Sequence, residues 1–507
     1  MRGTRNPAAR WMAAWLCTAL LAGCGSIGQM ISRPSVETSP TPTHPPAQQA
    51  QQAQDLAERA RAQQAAGDFW GAAQTLVQMS PLLQGADRTR NDQQIPDLLA
   101  SLGKDALRAR YDTLADKDPL KPYARTALER LGVVLPRDLP QLDHPVGTLI
   151  GEGAAAHREG YAMPGKIALL LPANGPLAVP GAAVREGFFT AYFGDSSDAQ
   201  RPDVRSYDSG GTPAQAISAY QQAVSDGAQL VIGPLGRDSV ATMFSQASLP
   251  VALLALNHPD NNTPPPAGSA EFGLLPEAEG AQAAAHMNDR GIKQAIVFLS
   301  TDDRAKRAAT AFKAQFESLG GQVASQVVLA SDDVDYSGQI KAALAGAGDG
   351  SGILLLLRAQ TARLLMPQLK LASVTQPVFA TSLTYAGGDN ATADRDLDGV
   401  EFCDMPWLFD AQPGLPDHST IAAQLPEARN AAARLFAFGM DAYALAPYLD
   451  WLRTHPGTYL PGATGQLAAD EQARVHRVPI WASFQGGIAR PVAAGMDSAP
   501  ASASSAQ

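Results

Sequence analysis

From residue 166 onward the chain alternates between two kinds of segment, and that alternation limits its possible folds more than any other feature. KIALLLP is a continuous apolar run of buried-strand length, followed by a loop and the helix-patterned VREGFFTAYF. DVRSYD, PAQAISAYQQAV, QLVIGPL, a helical stretch near 237–247 and VALLALN continue the series. A second series starts at Pro276 with EAEGAQAAAHMNDRG and runs through QAIVFLS, RAKRAATAFKAQFESLG, QVVLA, SGQIKAALA, GILLLL, TARLLMPQLKLA and QPVFATS. Strands that alternate with helices pair in parallel through right-handed crossovers, covered on both faces. Two consecutive series predict two lobes with a cleft at the carboxyl ends of the strands. Residues 165–490 are assigned to this two-lobed domain.

The preceding part has a different grain. AQQAQDLAERARAQQAAGDFWGAAQTLVQM is alanine-rich, with Leu56, Ala60 and Gln64 at helical steps and a break at Gly67-Asp68. It reads as a helical hairpin of the tetratricopeptide sort, with small residues where two helices approach. Further helical pieces at 95–102, 104–115 and 119–131 make a small array of four or five helices over residues 47–135, without a clean 34-residue period. The expected fold class is therefore α + α/β: a short tetratricopeptide-like domain, a joint over 136–164, then the two lobes with parallel sheets. At 507 residues the chain is long enough for two or three domains. Residues 491–507, rich in Ala, Ser and Pro, are expected to be a disordered tail.

The start of the chain bears on where it works. Arg2, Arg5 and Arg10 precede an apolar stretch from Trp11 to Gly23, too short for the roughly 18 to 20 apolar residues of a membrane span. It reads as the h-region of a secretory signal over residues 1–23. Leu21-Ala22-Gly23-Cys24 has the form of a bacterial lipobox, which makes Cys24 the lipidated first residue of the mature chain. Each buried methylene contributes about 0.8 kcal/mol, so two or three acyl chains hold a protein on a membrane almost permanently. Gly25 stands where inner-membrane lipoproteins typically carry Asp, so outer-membrane sorting is expected. Residues 24–46, with Pro34, Pro40, Pro42, Pro45 and Pro46, form a spacer. Removing the signal takes the formal net charge from -10 to -13, which argues against nucleic acid as a partner. Of the three cysteines, Cys17 leaves with the signal and Cys24 is lipidated, so Cys403 has no intramolecular disulfide partner.

Several spacings imitate catalytic motifs. Gly160 to Ile167 has phosphate-loop spacing but lacks the Ser or Thr that meets magnesium, and it precedes a strand where such a loop follows one. Ser101 and Lys104 match the spacing of penicillin-interacting acyl enzymes without the Lys-Thr-Gly element, and read as a surface pair on a helix. Gly194-Asp195-Ser196 lies in a loop whose turn chemistry accounts for every residue. The eight histidines are scattered, none with an i, i+4 partner of the zinc-protease type. Asp302-Asp303 and Asp332-Asp333-Val334-Asp335 each precede a predicted helix, where carboxylates cap amides; no metal or cofactor is expected. No catalytic residue is assigned. The candidate cleft residues are Asn174, Gly175, Gly233, Pro234, Asn257, Ser300, Thr381 and Asp441. The loops Pro172–Gly175 and Gly233–Gly236 divide evenly between ligand contact and turn geometry.

KIALLLPANGPLAVPGAAVREGF, QLVIGPLGRDSV, PVALLALN and GMDAYALAPYL together resemble the type I periplasmic binding-protein fold of branched-chain amino-acid receptors. More narrowly, LALNHP, FGLLPEAEGAQAA and the long stretch from Gly439 through VHRVPIWASFQGG are similar to the LpoA (LppC) family, outer-membrane lipoproteins that activate a class A penicillin-binding protein. The resemblance covers about Lys166 to Gly487. It implies a non-catalytic regulator of peptidoglycan synthesis that lies near peptidoglycan, is anchored by lipid at the outer membrane facing the periplasm, and docks on a synthase of the penicillin-binding protein 1A type to stimulate its transpeptidase. The helical region is shorter than that family's usual array, with the Pro-rich spacer supplying length. After Gly233-Pro234 the sequence gives Leu-Gly-Arg where amino-acid receptors place hydroxyl residues, so a closed, ligand-free cleft is expected. The other class of function on the same fold is a lipid-anchored solute receptor, and fold alone does not choose between them.

Overall fold

The computed structural model describes residues 46–492 apart from 141, 147–158, 196–200, 247, 349 and 389. The signal, Cys24, almost all of the spacer, Ser196 and the tail from 493 lie outside the described residues. From Gln49 onward the elements below belong to one unit, Gln49–Gln507.

Five helices come first: α1 (Pro46–Ala65), α2 (Phe69–Met79), α3 (Gly85–Ala100), α4 (Lys104–Tyr111) and α5 (Lys121–Arg130). The α1–α2 turn forms where Gly67 takes a positive φ of 79° and the Asp68 carboxylate accepts the Gly71 amide hydrogen at 2.9 Å. Ala72 and Ala73 are fully buried, the small contacts that let α2 approach its neighbours, and with Leu76, Ile95, Leu99, Leu107 and Leu128 they make a separate core. α3 begins ten residues earlier than the sequence pattern implied, because its first two turns, GADRTRND, have a polar face. Ser101 and Lys104 do not share a helix: Ser101 caps α3 and Lys104 opens α4, with Gly103 at φ 80° between them. Among the described residues, Gln93 Nε2 of α3 donates to the Phe244 carbonyl at 2.8 Å, and just past the array the Arg137 amide donates to Gln315 Oε1 at 2.7 Å.

The lobes follow in chain order as β1 (His144–Pro145), β2 (Lys166–Leu171), α6 (Ala178–Gly194), β3 (Asp203–Asp208), α7 (Pro213–Ser225), β4 (Leu230–Ile232), α8 (Arg237–Phe244), β5 (Ala252–Ala255) and β6 (Ala270–Phe272). Then come α9 (Pro276–Asp289), β7 (Gln294–Ser300), α10 (Asp303–Ser318), β8 (Gln322–Leu329), α11 (Ser337–Leu344), β9 (Ser351–Leu356), α12 (Ala359–Leu371), β10 (Val378–Ala380), α13 (Ala391–Asp394) and β11 (Glu401–Asp404). The last part is α14 (His418–Gln424), α15 (Ala433–Leu445), α16 (Leu449–Thr454), β12 (Thr458–Pro461), β13 (Gln466–Ala469), β14 (Arg474–Val478), β15 (Ile480–Gln485) and β16 (Ile488–Pro491).

Among the described residues the first sheet runs β1-β12-β13-β14-β6-β5-β4-β2-β3 and the second β16-β15-β11-β10-β9-β7-β8. Every pair between strands β2 and β11 is parallel, as the alternation required. The terminal strands depart from this. β12, β13 and β14 pair antiparallel and join the first sheet, whereas β15 and β16 join the second, also antiparallel. Their connections are tight: Gly465 (φ 141°) and the Gly486-Gly487 pair (φ 62° and 77°) supply turns that only antiparallel strands can use.

The chain thus passes between the lobes at 273–275, again between β11 and α15, and at Pro479. α15 is the element common to both: Phe436, Ala437 and Met440 lie in the second lobe's core, Phe438, Ala442, Tyr443 and Leu445 in the first's. It packs on α6 with backbones nearly touching. A Cβ on Gly187 would stand 1.9 Å from the Phe436 carbonyl oxygen, and one on Gly439 would stand 2.0 Å from that of Val184.

Candidate functional site

The strand ends of the first sheet place Asn174, Gly175, Gly233, Pro234 and Asn257 on adjoining loops. Asn174 Nδ2 and the Ala173 amide both donate to Asp208, at 3.0 and 2.9 Å, and the Gly210 amide donates to the same carboxylate at 2.9 Å. The backbone hydrogen bonds from Ala173 and Gly210 hold Asp208 below the usual carboxylate range. Gly175 turns the loop at φ 77°. Gly233 has φ 113°, and a Cβ there would lie 2.0 Å from the Leu170 carbonyl oxygen, so close packing on β2 accounts for this glycine. The bond to Pro234 is cis, and the Pro234 carbonyl accepts from the Leu256 amide. Asn257 Nδ2 donates to the Leu235 carbonyl at 2.9 Å, while its Oδ1 accepts the His258 amide hydrogen at 3.0 Å.

On the second sheet Ser300 Oγ donates to Asp302 at 2.9 Å, and Asp302 caps α10 through the Ala305 amide at 3.0 Å. Thr381 is 1% exposed, and its hydroxyl has no hydrogen-bond partner among the described residues. Asp441 stands apart from both loop sets, inside α15 and 1% exposed. Its carboxylate accepts the amides of Ala463 (2.6 Å) and Thr464 (2.8 Å) and the Thr464 hydroxyl (2.6 Å). Burial pushes its pKa up to about 6 despite these donors. It is therefore a staple between α15 and the β12–β13 turn rather than a cleft wall. A depression of about 450 Å³ is lined by first-lobe residues, Asp208, Gly210, Ala214, Gln215, Ser218 and Ala219, on the side of α7.

Where the chain passes between lobes, charged groups converge that sequence reasoning missed. Glu279, in the first turn of α9, accepts the Ser382 hydroxyl (2.7 Å) and amide (3.2 Å) on one oxygen and pairs with Arg477 of β14 on the other. Arg434, at the start of α15, donates from Nε to Asp404 at 3.0 Å and from Nη2 to the Ser382 and Tyr385 carbonyls at 3.0 and 2.9 Å, and pairs with the second Asp404 oxygen. Burial works against the Arg434 charge, but Asp404 and the field of Glu279 offset it, so its pKa is raised. The line Arg477, Glu279, Ser382, Arg434, Asp404 joins both sheets through buried, hydrogen-bonded charge, an arrangement that is costly to break. Alongside it, Glu271 of β6 meets His258 at 2.8 Å and Arg474 of β14 at 3.1 Å.

Chemically this is a clamp. Both oxygens of Glu279 and of Asp404 are taken up by fixed donors. The one signal in the sequence was charge embedded in apolar runs, Asp404 in EFCDMPW and Asp441 in FGMDAYAL; Glu279 and Arg477 are brought together only by the fold. Cys403 is fully buried beside this clamp, and burial pushes its thiol pKa up.

Comparison with known proteins follows the same outline. The penicillin-binding protein activator LpoA of Photobacterium profundum is 30% identical over 345 residues, 63% of this chain and 55% of that protein. The activator of the same name from Edwardsiella piscicida is 27% identical over 328 residues, covering 57% and 46%. The chain therefore spans about half the length of these curated relatives. Full-length LpoA from Haemophilus influenzae shares the fold at a TM-score of 0.57 and 20% identity, over 89% of this chain and 83% of that one. A putative branched-chain amino acid ABC transporter from Chromobacterium violaceum matches at 0.51 and 27%, over 63% and 99%. A profile of the LppC putative lipoproteins matches residues 161–487, nearly the whole two-lobed domain, and the chain belongs to that family.

Proposed function

We propose that this protein is a lipid-anchored, non-catalytic activator of a class A penicillin-binding protein of the 1A type. It is held through Cys24 at the outer membrane, faces the periplasm, and raises the partner's transpeptidase activity by contact. The observation that carries this reading is the 30% identity to a curated activator over 63% of this chain. The clamp between the lobes supports it, because a fixed body suits docking on a partner better than opening and closing on a solute. In this reading residues 24–46 are the tether, 47–135 a helical spacer domain and 165–490 the docking domain, joined by 136–164.

The test uses protein beginning after Cys24 and its cognate synthase. Binding and increased cross-linking of peptidoglycan in a reconstituted reaction are expected; neither effect from the cognate partner overturns the proposal. In cells, Cys24→Ser releases the protein from the membrane fraction. A second reading, a lipid-anchored solute receptor, is favoured by the 27% identity to the Chromobacterium protein. A small molecule that co-purifies in the cleft and is displaced by a solute decides for it.

A further inference from the structure

Each sheet ends on one side in a strand that follows a helical crossover, and the two edges differ in chemistry. The first sheet ends on β3, DVRSYD, which carries Asp203, Arg205 and Asp208, with Arg205 lying 3.9 Å from Asp203 and 4.0 Å from Asp226. Charge on an edge strand resists pairing with another chain. The second sheet ends on β8, QVASQVVL, eight residues with neither charge nor proline. It pairs with β7, and among the described residues no backbone amide of 323–329 bonds beyond that ladder. Gln322, Ala324, Gln326 and Val328 are exposed along it, Val328 by 50%.

The strand runs into a loop of the opposite character. Asp332, Asp333 and Asp335 surround Val334, which is 73% exposed, and none of the three forms an ion pair among the described residues. The loop is held in place: the Tyr336 hydroxyl donates to the Ala330 and Asp333 carbonyls at 3.1 and 2.8 Å, and Gln368 of α12 bonds the Tyr336 amide and the Val334 carbonyl. An unpaired, uncharged strand edge thus leads into an anchored loop that carries exposed carboxylates and an exposed valine. The surrounding domain, residues 165–490, holds 22 Lys and Arg against 32 Asp and Glu, so its partner's contact region is complementary when basic.

We propose that the β8 edge is the docking surface for an extended, basic segment of the synthase. The segment adds as a further strand of the second sheet, with apolar side chains on Val328 and Val334 and basic ones facing Asp332 and Asp333. The inference rests on the activator reading. Its test compares wild-type protein, Gln326→Lys/Val328→Lys and Asp332→Lys/Asp333→Lys for binding to the purified cognate synthase in detergent, at low and high salt. Hydrogen exchange is followed in the wild-type complex. We expect at least a tenfold weaker Kd for each variant, a shallower salt dependence for the aspartate variant, and slowed exchange at amides 323–329 on complex formation. Wild-type binding with unchanged affinity in both variants and unchanged exchange overturns the docking site and leaves the activator reading standing. Failure of wild-type protein to bind overturns both. Self-association of the wild type that the lysine variant abolishes, with synthase binding intact, assigns the edge to a second copy and overturns the proposal. If the strand variant does not fold, the aspartate variant and the exchange measurement decide.

Discussion

Adding a single methyl group where α6 crosses α15 is the sharpest perturbation this structure offers. In Gly187→Ala the new Cβ lands 1.9 Å from the Phe436 carbonyl oxygen and 2.7 Å from its carbon, both backbone atoms that no rotamer change can move aside. Restoring an ordinary contact of about 3.4 Å parts the helices by roughly 1.5 Å, in a core packed like an organic crystal. Overpacking of this kind costs about 1–3 kcal/mol, occasionally more, against a gain of about 1 kcal/mol from replacing helical glycine by alanine. Because the obstacle is backbone, we expect the upper end of that range, a net loss of about 2 kcal/mol. Gly439→Ala, 2.0 Å from the Val184 oxygen, behaves alike. The double variant loses less than the sum, since one separation relieves both clashes. Gly338→Ala in α11, with no atom within 4 Å of the added carbon, is the control and gains about 0.5–1 kcal/mol. Urea unfolding followed by tryptophan fluorescence is suited to this, because Trp407 stacks on Phe436 of α15 at 5.3 Å. A neutral or stabilising Gly187→Ala, or full additivity in the double variant, refutes the argument.

Three further outcomes are expected. Arg477→Met leaves Glu279 buried without its cation and costs about 3–5 kcal/mol in urea unfolding, whereas adding Glu279→Gln to it recovers part of the loss. Asp441 titrates at about 6 when folded and near 3.8 when unfolded, so the folded state binds the extra proton between these values and stability falls as pH rises through that window. Relative to Asp441→Asn, wild-type stability should therefore drop by about 2 kcal/mol between pH 4 and 6.5; parallel pH profiles of the two proteins refute this. Protein beginning after Cys24 has Cys403 as its sole thiol. Burial and its raised pKa predict that a thiol reagent at pH 8 labels it only as fast as the protein unfolds.

The parts of the fold legible in advance were those whose residues carry their own instructions. Ile167–Leu171 and Ala295–Leu299 are continuous apolar runs because β2 and β7 lie inside parallel sheets covered on both faces, and the helices between them show their stripes. Asp302 was readable as a cap because capping is local. β14 was not readable: RVHRV has two arginines and a histidine, and it is a strand because β6 and β13 flank it. The same limit hid the clamp, since Glu279 and Arg477 are 198 positions apart and each looks like an ordinary surface charge until the fold joins them. The strand-end loops were located correctly by topology, yet the polar groups of Asn174 and Asn257 serve their own lobe's backbone and loops, a use that spacing does not reveal.

The strand order of the first sheet has a consequence for how the chain is made. β6 is complete at residue 272, but the strand that pairs with its outer side, β14, begins at residue 474. A chain emerging amino terminus first therefore carries an unfinished first lobe, with β6 open as an edge, until the whole second series has followed. Neither lobe can close as an independent half: α15 and β12–β14 must return to the first before β15 and β16 finish the second. Truncation anywhere before β14 should thus yield an aggregation-prone fragment rather than a shorter domain, and chaperones that shield strand edges would act most usefully on the stretch ending at Phe272.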